Sequence, residues 1–195
     1  MSARPLRYGQ VAMAFHWIIA LLLIANVALG LYMVDLPRSD PGKFMIVQTH
    51  KSIGLTVLVL SLLRLGWRLV NPVPRLPLNL HPGLKAFAHF THYVFYFLII
   101  VIPLSGWLMV SASPLGNGTG YFGLFVIPNL PFWAGQTREQ LHGVHETFET
   151  MHVWLAWSAI VLVPIHVAAA LYHHFLVRDD VLRRMLPWTD MEETI

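Results

Sequence analysis

Four stretches of this chain, Val11 to Val34, Phe44 to Val70, Ala86 to Val110 and Met151 to Val177, each exceed the roughly 20 apolar residues that a helix needs to cross a bilayer. A water-soluble domain could hardly cover so much apolar surface: 56% of the 195 residues are hydrophobic and only 12% are charged. The expected fold is therefore an all-α membrane protein, one integral-membrane domain over residues 1–195. It forms a four-transmembrane-helix bundle with helices near 11–34, 44–70, 86–110 and 142–177. Arg4 and Arg7 ahead of the first stretch and "ANVALG" within it imitate a signal peptide. The apolar run, however, is longer than the ~15 residues of a signal core, so it is read as a retained span.

Orientation follows from the basic residues. Arg4 and Arg7, then Arg64, Arg68, Arg75 and Lys85, then Arg178, Arg183 and Arg184 outweigh Arg38, Lys43, Lys51 and Arg138 on the alternate connections, which predicts both termini in the cytoplasm. The basic balance is a consequence of this topology. No basic run is interleaved with aromatics as single-strand binding requires, so nucleic acid is not an expected partner. There is no cysteine, which excludes disulfides, thiolate-bound iron–sulfur clusters and covalent C-x-x-C-H haem attachment.

The connections differ. "DLPRSDPGK" (Asp35 to Lys43) is a short polar turn, and the proline-rich "NPVPRLPLNLHPG" (Asn71 to Gly83) disfavours helix. The third, from Ser111 to Gln140, is long, glycine-rich and aromatic, and is expected to fold onto the outer end of the bundle. Pro103 and Pro164 are candidate kinks that neighbouring helices tolerate.

Eleven histidines are present, and His16, His50, His152 and His166 fall inside the spans, where an imidazole must face the bundle interior and find a partner. With the termini inside, His16 and His166 share a cytoplasmic depth, while His50 and His152 share an outer one. The two on the fourth helix are about 21 Å apart along the axis and about 40° apart around it. Two facing pairs in two layers suit low-spin b-type haem, which takes a neutral imidazole on each side of its ring and then has no open iron position for oxygen. Gly54, Ala168, Ala169 and Ala170 leave room for a flat ring, and also suit close helix packing.

The motifs "FHW" (Phe15 to Trp17), "THKSIG" (Thr49 to Gly54), "LRLGWR" (Leu63 to Arg68), "AHFTHYVFY" (Ala88 to Tyr96) and above all "HVAAALYHHF" (His166 to Phe175) resemble the bacterial cytochrome b561 family along nearly the whole chain. That resemblance implies a multi-pass protein of the bacterial inner membrane with two non-covalent haem b groups, accepting electrons from quinol. It also implies His16, His50, His152 and His166 as the axial ligands, the four residues chosen by depth. "GVHETF" departs from this, because His145 sits in a context like that of some outer ligands and competes with His152. It lies 21 residues from His166, about 31 Å on a straight helix, which would lift a haem to the membrane surface.

Arg64, fourteen residues after His50, either pairs with a haem propionate or snorkels to the interface beside Arg68. Lys51 can pair with the outer propionate or guide a quinone. His89 and His92 suit a proton path, a quinone or interfacial water, and His173 and His174, where the last span leaves the membrane, suit either a snorkelling polar end or a role near the cytoplasmic haem. His142, His145, Glu146 and Glu149 make no H-E-x-x-H zinc motif. Quinol is expected beside the outer haem, under Tyr121, Phe122, Phe125, Phe132 and Trp133. The electron acceptor is unknown, lipid surrounds the bundle, and a homodimer is left open. Two alternatives carry other functions: a cytochrome b subunit anchoring a hydrogenase or dehydrogenase to the quinone pool, and a histidine-lined transporter of protons or metal. The near absence of acidic residues from the spans speaks against transport.

Overall fold

The computed structural model describes residues 7–74, 82–113 and 118–188; Arg4, Arg75 and His81 lie outside them. Four long helices dominate: α1 Gln10–Asp35, α2 Lys43–Val70, α3 Pro82–Ser111 and α4 Arg138–Tyr172. Each is long and apolar enough to cross a membrane. Leu21, Val34, Phe44, Tyr93 and Trp154 are all more than half exposed, as helices solvated by lipid rather than water permit. The chain is a multi-pass membrane bundle.

Proline and polar side chains set the helix ends. Leu36 leaves α1 in an extended conformation because Pro37 follows it, and Asn71 does the same for α2 ahead of Pro72. Between these helices Lys43 Nζ donates to the Leu36 carbonyl at 2.6 Å, and Asp40 Oδ1 accepts the Gly42 N–H at 2.7 Å, stapling the short turn. α4 starts four residues before the expected 142. Thr137 accepts the Gln140 N–H while the Gln140 side chain accepts the Thr137 N–H, a capping box that extends the helix through polar sequence. At its other end α4 widens into a π turn at His173–Val177 and is closed by Arg178 in the left-handed conformation (φ 59°). α3 and α4 continue through Pro103 and Pro164.

α1 packs along α2, α2 along α3 and α3 along α4. The third connection forms a small hairpin, β1 Thr119–Tyr121 with β2 Phe125–Ile127, in register Tyr121↔Phe125. Its turn takes Phe122 (φ 48°) and Gly123 (φ 74°) into the left-handed region, uncommon for an aromatic residue. α2 holds it there: Ser52 Oγ accepts the Phe122 N–H at 3.0 Å, its one hydrogen is shared between the Gln48 carbonyl at 2.8 Å and the Gly120 carbonyl at 3.2 Å, and Thr56 Oγ1 meets Tyr121 Oη at 2.9 Å. At the opposite end the C-terminal segment folds back beneath α1. Tyr8 N–H donates to the Arg184 carbonyl (3.2 Å) and Trp17 Nε1 to that of Met185 (2.9 Å). The bundle thus has a hairpin end and a termini end.

Candidate functional site

At the hairpin end, His50 of α2 faces His152 of α4 with ring centres 6.3 Å apart and planes crossed at 86°. Both rings are anchored through Nδ1. That of His50 donates to the Asn26 carbonyl of α1 at 3.0 Å, and that of His152 to the Ile102 carbonyl of α3 at 2.9 Å. Ser105, fully buried, donates to the same Ile102 carbonyl at 2.7 Å, and its oxygen lies 3.0 Å from His152 Nδ1. A carbonyl can only accept, so Nδ1 carries the proton in both rings and Nε2 keeps its lone pair for a metal. Two glycines make room. A Cβ on Gly30 would lie 3.1 Å from His50 Cε1, and one on Gly106 would lie 3.1 Å from His152 Cε1. α1 and α3 can flank the rings only because no side chain stands there.

At the termini end, His16 of α1 faces His166 of α4 with centres 6.4 Å apart and planes at 65°. His166 also meets Phe95 at 5.0 Å and His92 at 6.1 Å, both on α3. The His92 Nδ1 donates to its own helix, at the Ala88 carbonyl, 2.6 Å away. Arg64 of α2 reaches the same end of the bundle, over the ring of Tyr96, which lies one helical turn after His92 on α3. It shares the Tyr96 ring with Arg68, the two guanidinium carbons lying 5.5 and 5.4 Å from the ring centre. Among the described residues neither arginine pairs with a carboxylate, and neither His16 nor His166 has a hydrogen bond to the chain.

The spacing discriminates between two kinds of contact. Two imidazoles joined by one N···N hydrogen bond of about 2.9 Å would have centres about 5.2 Å apart. Two that share a metal, with about 2.0 Å to each nitrogen and roughly 1.15 Å from nitrogen to ring centre, would be about 6.3 Å apart. The observed 6.3 and 6.4 Å are too long for the first and fit the second; edge-on ring packing reaches the same range, as His92–His166 does at 6.1 Å, and the Nδ1 anchoring of His50 and His152 is what sets the hairpin-end pair apart. Among the described residues no three of His, Cys, Asp and Glu come together as a metal-holding set. A metal here would therefore have two protein donors and would need a further group for its remaining positions, as porphyrin provides. The anchored Nδ1 atoms, the free Nε2 lone pairs and the glycine cradles fit that group.

The remaining candidates from the sequence lie away from the two imidazole pairs or serve the chain itself. His145 donates through Nδ1 to the Met109 carbonyl of α3 at 2.9 Å and is not the residue that meets His50. Lys51 is half-buried with no hydrogen bond or ion pair among the described residues. His142 lies 3.5 Å from Glu146 on the exposed face of α4, and His89 is exposed. His173 pairs with Asp179 at 2.6 Å, so it secures the tail rather than simply ending a span. Tyr121 stacks on Phe125 at 5.1 Å; Phe122, Phe125 and Phe132 are exposed, and Trp133 packs against Phe148. Gly30, Gly106, Asn26, Ile102 and Ser105 do not stand out in the sequence. A signal is nevertheless present: His16 to Gly30, His50 to Arg64, His92 to Gly106 and His152 to His166 are each separated by fourteen residues, one such step per helix.

Known proteins resemble this chain along nearly its whole length. The family described as prokaryotic cytochrome b561 matches residues 7–188. Cytochrome b561 homolog 2 of Escherichia coli K12 is 36% identical over 182 residues, covering 93% of this chain and 92% of that protein. The probable superoxide oxidase CybB of Yersinia pestis is 30% identical over 182 residues, 93% and 96% of the two chains. A cytochrome b562 of Cereibacter sphaeroides is 27% identical over 187 residues, 92% and 94% of the two chains.

Proposed function

This chain belongs to the prokaryotic cytochrome b561 family, whose members carry b-type haem, and from that premise we propose that it transfers electrons across the bacterial inner membrane through two b-type haems, drawing them from membrane quinol. The observation that carries the proposal is the pair of imidazole separations, 6.3 and 6.4 Å, in two layers. His50 and His152 would be the axial ligands of one haem, and His16 and His166 those of the other. A haem held by each pair would supply one-electron chemistry.

The chain does the rest. The Asn26 and Ile102 carbonyls fix the His50 and His152 tautomers, and Gly30 and Gly106 admit the rings. Arg64 offers the termini-end haem a cation for a propionate. The distribution of Lys and Arg supports cytoplasmic termini, which makes the hairpin end the outer one. Quinol oxidation yields two electrons and two protons. Docking beside the hairpin-end haem, under the aromatic connection, would release the protons outside and pass the electrons inward.

The test has two stages. Purified protein should be red, with sharp reduced bands and two haems per chain; a colourless, folded protein from haem-replete cells overturns the proposal. In His152→Ala, a quinol analogue should no longer reduce the remaining haem, although a small soluble reductant still does. Normal quinol reduction of that haem would move the quinol site to the termini end, beside Arg64, His89 and His92. A second reading rests on the Yersinia relative, which is named a probable superoxide oxidase. On that reading superoxide gives up its electron to become oxygen, and quinone, reduced by two such electrons and two protons, is the acceptor. Superoxide consumption that requires added quinone distinguishes it.

A further inference from the structure

Building on the two-haem reading, we infer that the hairpin-end centre has the lower reduction potential, held down by Ser105 and the carbonyls behind its ligands, and that Arg64 holds the termini-end centre higher. Ser105 acts as a positioning residue. Its hydroxyl hydrogen is committed to the Ile102 carbonyl at 2.7 Å, so its oxygen is turned toward the Nδ1 proton of His152, 3.0 Å away. His152 thus donates toward two oxygens, and His50 donates to the Asn26 carbonyl on the other side of the same metal position. An imidazole whose Nδ1–H is drawn by a carbonyl becomes a more basic donor at Nε2 and favours the oxidised metal. Both hairpin-end ligands are strengthened in this way.

The termini end has the opposite surroundings. His16 and His166 lack such acceptors among the described residues, and Arg64, with no carboxylate partner among them, stands 5.5 Å over the ring of Tyr96, the neighbour of Phe95, whose own ring meets His166 at 5.0 Å. Ferric haem carries one more positive charge than ferrous haem, so a neighbouring guanidinium in a low-dielectric bundle disfavours the ferric state. A propionate bound to Arg64 would not reverse this, because removing the guanidinium would leave that negative charge uncompensated. Both effects have the same sign. An electron entering at the hairpin end therefore runs downhill toward the termini end, and the reverse transfer is uphill.

Spectroelectrochemical titration of the purified full chain tests the ordering, with the two components assigned by which one disappears in His152→Ala and in His16→Ala. The hairpin-end component should titrate at the lower potential. Ser105→Ala should make that haem a few-fold easier to reduce and leave the other unchanged. Arg64→Gln should make the termini-end haem about tenfold harder to reduce, close to 59 mV for one electron, with Arg64→Lys restoring most of the loss. A wild-type order opposite to this, a Ser105→Ala shift in the termini-end component, or an Arg64→Gln variant with unchanged potentials overturns the inference. If Ser105→Ala loses its haem, the wild-type order and the Arg64 variants decide. Fewer than two haems in the wild-type protein would instead refute the proposed function.

Discussion

Around His50 and His152 the two remaining helices bring glycine, Gly30 from α1 and Gly106 from α3, whereas around His16 and His166 they bring Arg64 from α2 and His92 from α3. One layer is close-fitting and anchored through backbone carbonyls; the other is aromatic, with Arg64 and Arg68 beside it on Tyr96. The same fourteen-residue step on every helix generates both. Fourteen residues are nearly four turns, so a helix that turns one residue inward at one layer turns another inward, about 40° away, at the next. What a layer becomes then depends on which four residues fall on it. The bundle places two sites, and side-chain choice makes them different.

The largest expected effect separates the layers outright. His50→Ala and His152→Ala should each remove the same low-spin haem, and His16→Ala and His166→Ala should each remove the other, as read from haem content and redox components. If the His16 and His50 variants lost the same component, the division into layers would collapse. Next in size is Gly106→Val, since a Cβ at this position would already approach the His152 ring to 3.1 Å and valine adds two methyl carbons beyond it. Occupancy of the hairpin-end haem should fall by about 10- to 100-fold. The termini-end haem should remain, and loss of both would mean that Gly106 serves the helix packing rather than one layer.

Smaller effects test how far the hairpin belongs to its layer. Ser52→Ala removes the hydrogen bond that holds Phe122 and the longer contact, shared with Gln48, to Gly120. It should cost about 1–3 kcal/mol of local stability, seen as faster proteolysis of the hairpin with both haems retained. Unchanged cleavage would show that Thr56 and the aromatic contacts suffice. Smallest of all, His145→Ala should lose only its bond to the Met109 carbonyl, about 1 kcal/mol, and leave both haem spectra intact. Disappearance of the hairpin-end spectrum would transfer the ligand role from His152 to His145.

The spans are legible in the sequence because each exceeds the membrane length with its own apolar run, a signal that needs no knowledge of neighbours. The two histidine layers are legible for a related reason: depth is arithmetic along a straight helix. The start of α4 is less so, because its apolar run begins at Met151 and the turns ahead of it owe their helix to the Thr137–Gln140 capping box. The hairpin shows in the sequence only as a folded aromatic connection, since its strands are three residues each and carry no period. Ser105, Gly30 and Gly106 escape a reading by residue type because a serine or a glycine in a span has an ordinary packing explanation. Only the identity of the ring each one touches gives it a role.

α4 supplies one imidazole to each layer, His152 to the first and His166 to the second, and it is the last of the four helices to be made. On the two-haem reading, neither ligand pair is complete on a partly synthesised chain. Between the emergence of His50 and that of His166 a ribosome needs on the order of ten seconds, during which the first three helices hold His50 at one depth and His16 with His92 at the other. That reading expects haem to meet this protein as a finished four-helix apoprotein rather than as a nascent chain.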